Sequence, residues 1–172
     1  MTLQETLDFY HIDVIWHFTD RSNLESINKH GLLSLHLIEK YDIEVSCFGA
    51  DKLSHDLDRH YGLDKFVHLS FVKEHPMCFR KEQAGQIPNP VWIKIKASVL
   101  FNENTIFSTS VANGRNVPKY NINQLDDKAD LEVLWGRTDW KNSAIQRRRI
   151  LAKKGEIMIP MIIRQDDILG VA

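Results

Sequence analysis

From Val91 to Val99 the chain alternates with a period of two. Val91, Ile93, Ile95, Ala97 and Val99 share one face of an extended segment, and Lys94, Lys96 and Ser98 share the other. A strand written this way has one buried and one solvated face. Parallel sheets covered by helices on both sides need near-continuous apolar strands, so the pattern favours an antiparallel sheet over a doubly wound one.

Other segments join it. Val14–Thr19 and Lys65–Val72 are rich in strand formers, and the apolar run Glu156–Ile163 reads as a closing strand. Between them lie helical signals. Ser22 followed by Glu25 has capping-box spacing, and Leu24, Ile27 and Gly31 fit a short helix closed by glycine. Residues 32–43 read as a turn or second short helix, and 50–62 as an irregular or helical excursion ending at Gly62. Glu74-His-Pro-Met77 breaks the second strand, and residues 105–114 read as a short strand and loop. Residues 131–135 fit helix or strand equally at that length. Residues 143–155 form a basic helix ending in Gly155. Strands scattered among helical segments predict an α+β fold in one domain, residues 1–172.

The length of 172 residues suits a single full-sized core. No segment is long and apolar enough to cross a membrane, and the N-terminus has no secretory pattern. Two cysteines, Cys47 and Cys78, make no disulfide framework, so a reduced, cytoplasmic setting is expected, with no membrane partner. The net charge of −1 excludes a wholly basic nucleic-acid binder but leaves room for a local basic patch. Lys141, Arg147, Arg148, Arg149, Lys153 and Lys154 stand together with no acid between them, preceded by Asp126, Asp127, Asp130 and Glu132.

Chemistry is expected where these elements meet. Glu156 follows the basic helix and opens the last strand. On its own it reads as an exposed strand end; with partners, it reads as an acid placed beside an anionic ligand. His17 and Thr19 lie two apart on the first strand, and His68 and Ser70 two apart on the second. Two polar pairs on apolar strands exceed what a plain core requires. The eight histidines and two cysteines all precede residue 79, but their spacings match no metal motif, so no metal is expected. No Walker loop or dinucleotide glycine fingerprint occurs. The basic helix reads as a solvated face or as a phosphate-facing surface.

The ordered set of segments resembles the DarT family of nucleobase ADP-ribosyltransferase toxins. Trp16-His-Phe-Thr, Asn23-Leu24 and Gly31-Leu-Leu33 resemble the family's opening, and Val67–Met77 its second strand and the Pro-Met turn. Phe107–Asn113 is similar to its Phe-(Ser/Thr)-Asp-Gly loop, and Gln146-Arg-Arg-Arg through Pro160 to its closing helix and catalytic strand. The chain departs at Glu74-His75, where Arg-Ser is common, and at Thr109-Ser110, where Asp-Gly is usual.

The resemblance implies a split, mostly antiparallel sheet with flanking helices around a cleft for NAD, which is consumed. It implies Glu156 as the catalytic acid. Arg59, the one arginine between residues 22 and 79, inherits the catalytic arginine's role. His17, Thr19, Asn23, Gly31, Leu32, Ser70 and Phe71 would hold the co-substrate. His75, Met77, Asn113, Arg147, Arg148, Arg149, Lys153 and Lys154 would meet nucleic acid. The implied reaction adds ADP-ribose to a base in single-stranded DNA, by a toxin of a toxin–antitoxin or phage-defence system with a macrodomain antitoxin as partner. Single-stranded RNA as acceptor, a protein acceptor, and a non-catalytic nucleic-acid-binding relative are the alternatives.

Overall fold

A computed structural model describes residues 1–48 and 52–172. Helices are α1 Leu3–Tyr10, α2 Leu24–His30, α3 Leu35–Lys40, α4 Lys52–His60, α5 Pro76–Gln83, α6 Leu125–Lys128, α7 Leu131–Trp135 and α8 Ser143–Ala152. Strands are β1 Val14–Asp20, β2 Leu32–Leu33, β3 Phe66–Ser70, β4 Pro90–Lys96, β5 Ile106–Ser108, β6 Tyr120–Asn121, β7 Glu156–Pro160, β8 Ile162–Ile163 and β9 Ile168–Val171.

Seven strands form one sheet in the order β6-β5-β7-β3-β1-β4-β9, every neighbouring pair antiparallel. The alternation that predicted this is present in β4, where Val91, Ile93 and Ile95 are buried while Trp92, Lys94 and Lys96 are only half-buried. Ala97 and Val99 stay buried, but on a 3-10 turn over Ala97–Phe101 rather than on the strand. The sheet core is aliphatic: Ile15, Ile95, Ile157 and Ile159 are fully buried, each worth roughly 1.5–3 kcal/mol relative to exposure.

The sheet is split in its middle. β1 pairs with β4 at seven positions and β3 with β7 at five, yet β1 and β3 share one registered pair, Trp16 with Ser70. Two half-sheets therefore meet at one point and part beside it.

Several local expectations are revised. The run Glu156–Ile163 is two strands, because Met161 takes φ 64° and turns the chain. β8 then pairs with β2 in a separate two-stranded sheet. The first turn after β1 is capped by Asp20, whose carboxylate accepts from the Ser22 N–H at 2.9 Å, not by a Ser22–Glu25 box. Of the 50–62 segment, residues 50 and 51 lie outside the described residues. The rest is mostly α4, followed by Gly62 at φ 70°. Residues 131–135 are helical. The Pro76 break opens α5, with the His75 ring accepting from the Met77 N–H at 3.2 Å.

Candidate active site

The split opens into a cavity of about 270 Å³. β1, β3 and the start of β7 form its floor, and α2, α3, α4 and the 109–113 loop its sides. The volume lies near the lower end of small-molecule sites, ~300–1,000 Å³.

Glu156 stands at the central point. It is the first residue of β7, directly between Ser70 on β3 and Ser108 on β5. Ser70 and Ser108 are buried, so small side chains flank the carboxylate on both strands. Gly155 makes the approach from α8 possible: a Cβ there would sit 2.7 Å from the Ser108 carbonyl oxygen. The loop after β5 curls back, and the Ala112 N–H donates to Glu156 Oε2 at 2.6 Å. His68 Nδ1 lies 3.9 Å from the same oxygen. Burial alone would raise the carboxyl's pKa. The contact with His68, its charge and the Ala112 N–H outweigh it and hold Glu156 below the ordinary carboxylate range. It is an anion in the folded protein.

His17 bridges the split. Its Nδ1 is 2.9 Å from the His68 carbonyl oxygen, which can only accept, so Nδ1 carries the proton. Burial lowers its pKa, so the ring is neutral and Nε2 is an acceptor. Thr19 Oγ1 accepts from Asn23 Nδ2 at 3.0 Å. The same Asn23 amide donates to the Cys47 carbonyl at 2.6 Å and accepts from the Cys47 N–H at 3.1 Å. One side chain thus ties β1 to the segment that closes the cavity. Gly31 reaches the site because nothing larger can: its φ is +80°, and a Cβ would meet the Ile163 carbonyl oxygen at 2.4 Å.

The match to known proteins follows this geometry. The family model "DarT: ssDNA thymidine ADP-ribosyltransferase, DarT" matches residues 16–172. The chain belongs to the DarT family. The family is one of NAD-dependent ADP-ribosyltransferases acting on single-stranded DNA. Comparison with curated proteins gives no match. Among solved structures, Thermosipho africanus DarTG in complex with ADP-ribose is 17% identical, with TM-score 0.68, covering 91% of this chain and 43% of that one. This chain therefore spans under half of the Thermosipho chain. Thermus sp. 2.9 DarT in complex with ADP-ribosylated ssDNA is 12% identical, with TM-score 0.69, covering 92% of this chain and 80% of that one. The same Thermus protein in complex with NAD+ is 13% identical, with TM-score 0.60, covering 91% and 79%. At these identities the structural likeness carries the fold, which is the DarT fold.

Against that family frame, the cavity brings together Glu156, His17, Thr19, Asn23, Gly31, Leu32, Ser70, Met77 and Asn113. Asn113 Nδ2 donates to Ser54 Oγ and Asp58 Oδ1, both at 3.1 Å, and so fastens the 109–113 loop to α4.

Four expectations change. Arg59 is not among the described residues lining the cavity; its guanidinium is bound to Glu39 and, at 2.9 Å, to Asp56. Its α4 neighbour Asp58 faces the cavity instead, one residue turning 100° around the helix. Phe71 packs in the core against Phe107 and Trp135, and its carbonyl accepts from the Trp135 indole at 3.1 Å. His75 is buried beneath Phe18, so it supports the site from below rather than presenting a surface to nucleic acid. Within the basic helix, Arg148 is bound to Asp130 and Glu132, and Arg149 to Glu74 and the Val133 carbonyl. Lys153 is 3.8 Å from Glu74. Those side chains fasten α8; Arg147 is exposed and Lys154 half-exposed.

Sequence reasoning missed Asp58, the Ala112 N–H and Lys119. Lys119 sits over the Tyr61 ring, and Glu156 acts on its charge. None has a motif; each arrives through a loop or a helix face.

Proposed function

We propose that this chain transfers ADP-ribose from NAD to the thymine base of single-stranded DNA, with Glu156 as the catalytic carboxylate. The observation that carries it is the ionised Glu156, fixed by the Ala112 N–H at the floor of the split-sheet cavity. In this reading the nicotinamide–ribose half lies in the cavity beside Glu156 and the adenosine half toward its opening. Its wall supplies an acceptor at His17, hydroxyls at Thr19 and Ser70, and backbone at Gly31 and Leu32. Bound there, NAD supplies a neutral leaving group, nicotinamide, whose departure with the bonding electron pair leaves positive charge at the ribose carbon.

Glu156 meets that charge with a fixed, mostly buried anion. Thymine in DNA has one ring N–H. As that nitrogen bonds the ribose carbon its proton becomes acidic and passes to Glu156, then to solvent. A carboxylate held this far toward its ionised form is a weak base for free thymine. It accepts the proton only as the new bond forms, which ties deprotonation to transfer. His17 Nε2 and the Thr19 and Ser70 hydroxyls orient the ribose and amide; Asn23 holds Thr19 in place. A base must leave its stack to reach such a cavity, which favours a single strand. The reading includes a cytoplasmic toxin role with a macrodomain antitoxin as partner.

The test is incubation of the protein with NAD and oligonucleotides of single-stranded DNA with and without thymine, and of RNA, read by mass. A gain of one ADP-ribosyl group on thymine-containing DNA alone is expected. No adduct on any DNA would remove the reading.

A further inference from the structure

The cavity holds a charge cluster in which the arginine expected beside the acid takes no part. His68 projects from β3 toward Glu156 on β7, 3.9 Å from Oε2. Its other nitrogen, Nε2, lies 3.2 Å from the Leu63 carbonyl oxygen, which accepts, so Nε2 carries a proton. Asp58 on α4 lines the same cavity and acts on the ring electrostatically, while Asn113 holds the Asp58 carboxylate at 3.1 Å. The ring therefore has a carbonyl on one side and two carboxylates nearby, an environment built for a cation.

We infer that His68 is the positioning residue for Glu156: an imidazolium anchored by the Leu63 carbonyl that, with the Ala112 N–H, fixes the carboxylate's orientation and charge. The inference rests on the transferase reading for its catalytic consequence, but the charge pair itself does not. Burial opposes the charge on His68, yet Glu156 and Asp58 overcome it and raise the ring's pKa to about 9. The other titratable groups around the cluster are His17 on β1, His75 before α5, His55 on α4 and Lys119, with Asp64 and Lys81 also lining the cavity. Burial keeps His17, His55 and His75 on the neutral side. His68 is thus the cationic histidine of the group.

A merely structural histidine would contribute packing and one hydrogen bond. A positioning cation also sets the protonation of its partner. Replacing it with glutamine keeps the volume and a donor but removes the charge, so burial then dominates and the Glu156 carboxyl rises. The acid limb of the kcat–pH profile should move up with it.

The experiment has two arms on the full chain. Nitrogen-15 spectra of the imidazoles across pH, without NAD or DNA, should show His68 still protonated at pH 8 in the wild type, and its titration falling by a unit or more in Glu156→Gln. The kcat–pH profile of His68→Gln should show about a hundredfold loss at neutral pH and an acid limb shifted upward by about a unit. A His68 that titrates alike in wild type and Glu156→Gln would overturn the inference, and so would an unshifted acid limb in a folded, active His68→Gln protein. If His68→Gln does not fold, the imidazole titration alone decides. A wild type that shows the titration shift but makes no adduct would fault the transferase reading and leave the charge pair standing.

Discussion

His17 Nδ1 meets the His68 carbonyl oxygen at 2.9 Å, beside the one point where β1 and β3 are in register. A side chain thus spans the gap where a ladder hydrogen bond would otherwise close the sheet. The two histidines it links are driven in opposite directions, His17 toward neutral by burial and His68 toward charged by its carboxylates.

That opposition predicts a stability profile. The His17 pKa is depressed in the fold, so the unfolded chain binds its proton first and stability falls as pH drops below about 6.5. The His68 pKa is raised to about 9, so its contribution is complete below the unfolded value and is lost as pH rises through 9. Glu156 is depressed, so its contribution is present above the unfolded carboxyl value and lost in acid. Denaturant melts across pH should show a maximum near or just below pH 6.5. His68→Gln should flatten the alkaline decline, which is worth no more than about 3 kcal/mol.

Glu156→Gln should lower transfer by at least about a thousandfold, because it removes the fixed anion without changing shape. Circular dichroism should stay native, since the residue opens its strand rather than filling the core. Adduct mass on a thymine oligonucleotide measures the loss; activity within tenfold of wild type would take Glu156 out of the chemistry.

Arg59→Ala should leave kcat within about twofold, as expected for a surface change remote from the reacting groups. Its guanidinium is committed to Glu39 and Asp56. Steady-state rates with NAD and single-stranded DNA settle this, and a drop beyond tenfold would mean that the side chain swings inward during turnover.

Asn23→Ala should raise the KM for NAD more than it lowers kcat. It cuts three hydrogen bonds that join Thr19 to the Cys47 backbone. Stability should fall by about 1–3 kcal/mol, since buried groups lose their partners. A denaturation curve and an NAD titration of the rate separate the two effects.

Gly31→Ala forces a Cβ onto the Ile163 carbonyl at a left-handed φ, so loss of at least about 2 kcal/mol is expected. The β2–β8 pair should loosen, and thermal melting should report it.

The antiparallel sheet was legible because β4 states its pattern in side chains alone. Glu156 by itself read as an exposed strand end, and only the resemblance pointed it toward a cleft. His17, Thr19 and Ser70 followed from alternation on their strands. Arg59 lies off the cavity for a physical reason: neighbours on a helix point 100° apart, so Asp58 rather than Arg59 faces it. The ion pairs of Arg148 and Arg149 were not legible because their acidic partners, Asp130, Glu132 and Glu74, lie in separate segments. Phe71 follows Ser70 by one residue and so packs on the other side of the sheet. Met161 carries no turn signature, which hid the division of the last strand. What pairs with what across the chain is decided by tertiary placement, and local pattern does not encode it.

Helix α8 has no fully buried side chain, and Ile150 and Leu151 are exposed. Arg148 and Arg149 help to hold it through ion pairs that salt screens, beside the packing of Ala152 on the core, whereas β7 after it is buried among aliphatics. The two ends of the Gly155 junction therefore belong to different regimes of local stability. The strand bearing the acid opens only with the whole domain, while the helix beside it can fray on its own, more readily as ionic strength rises.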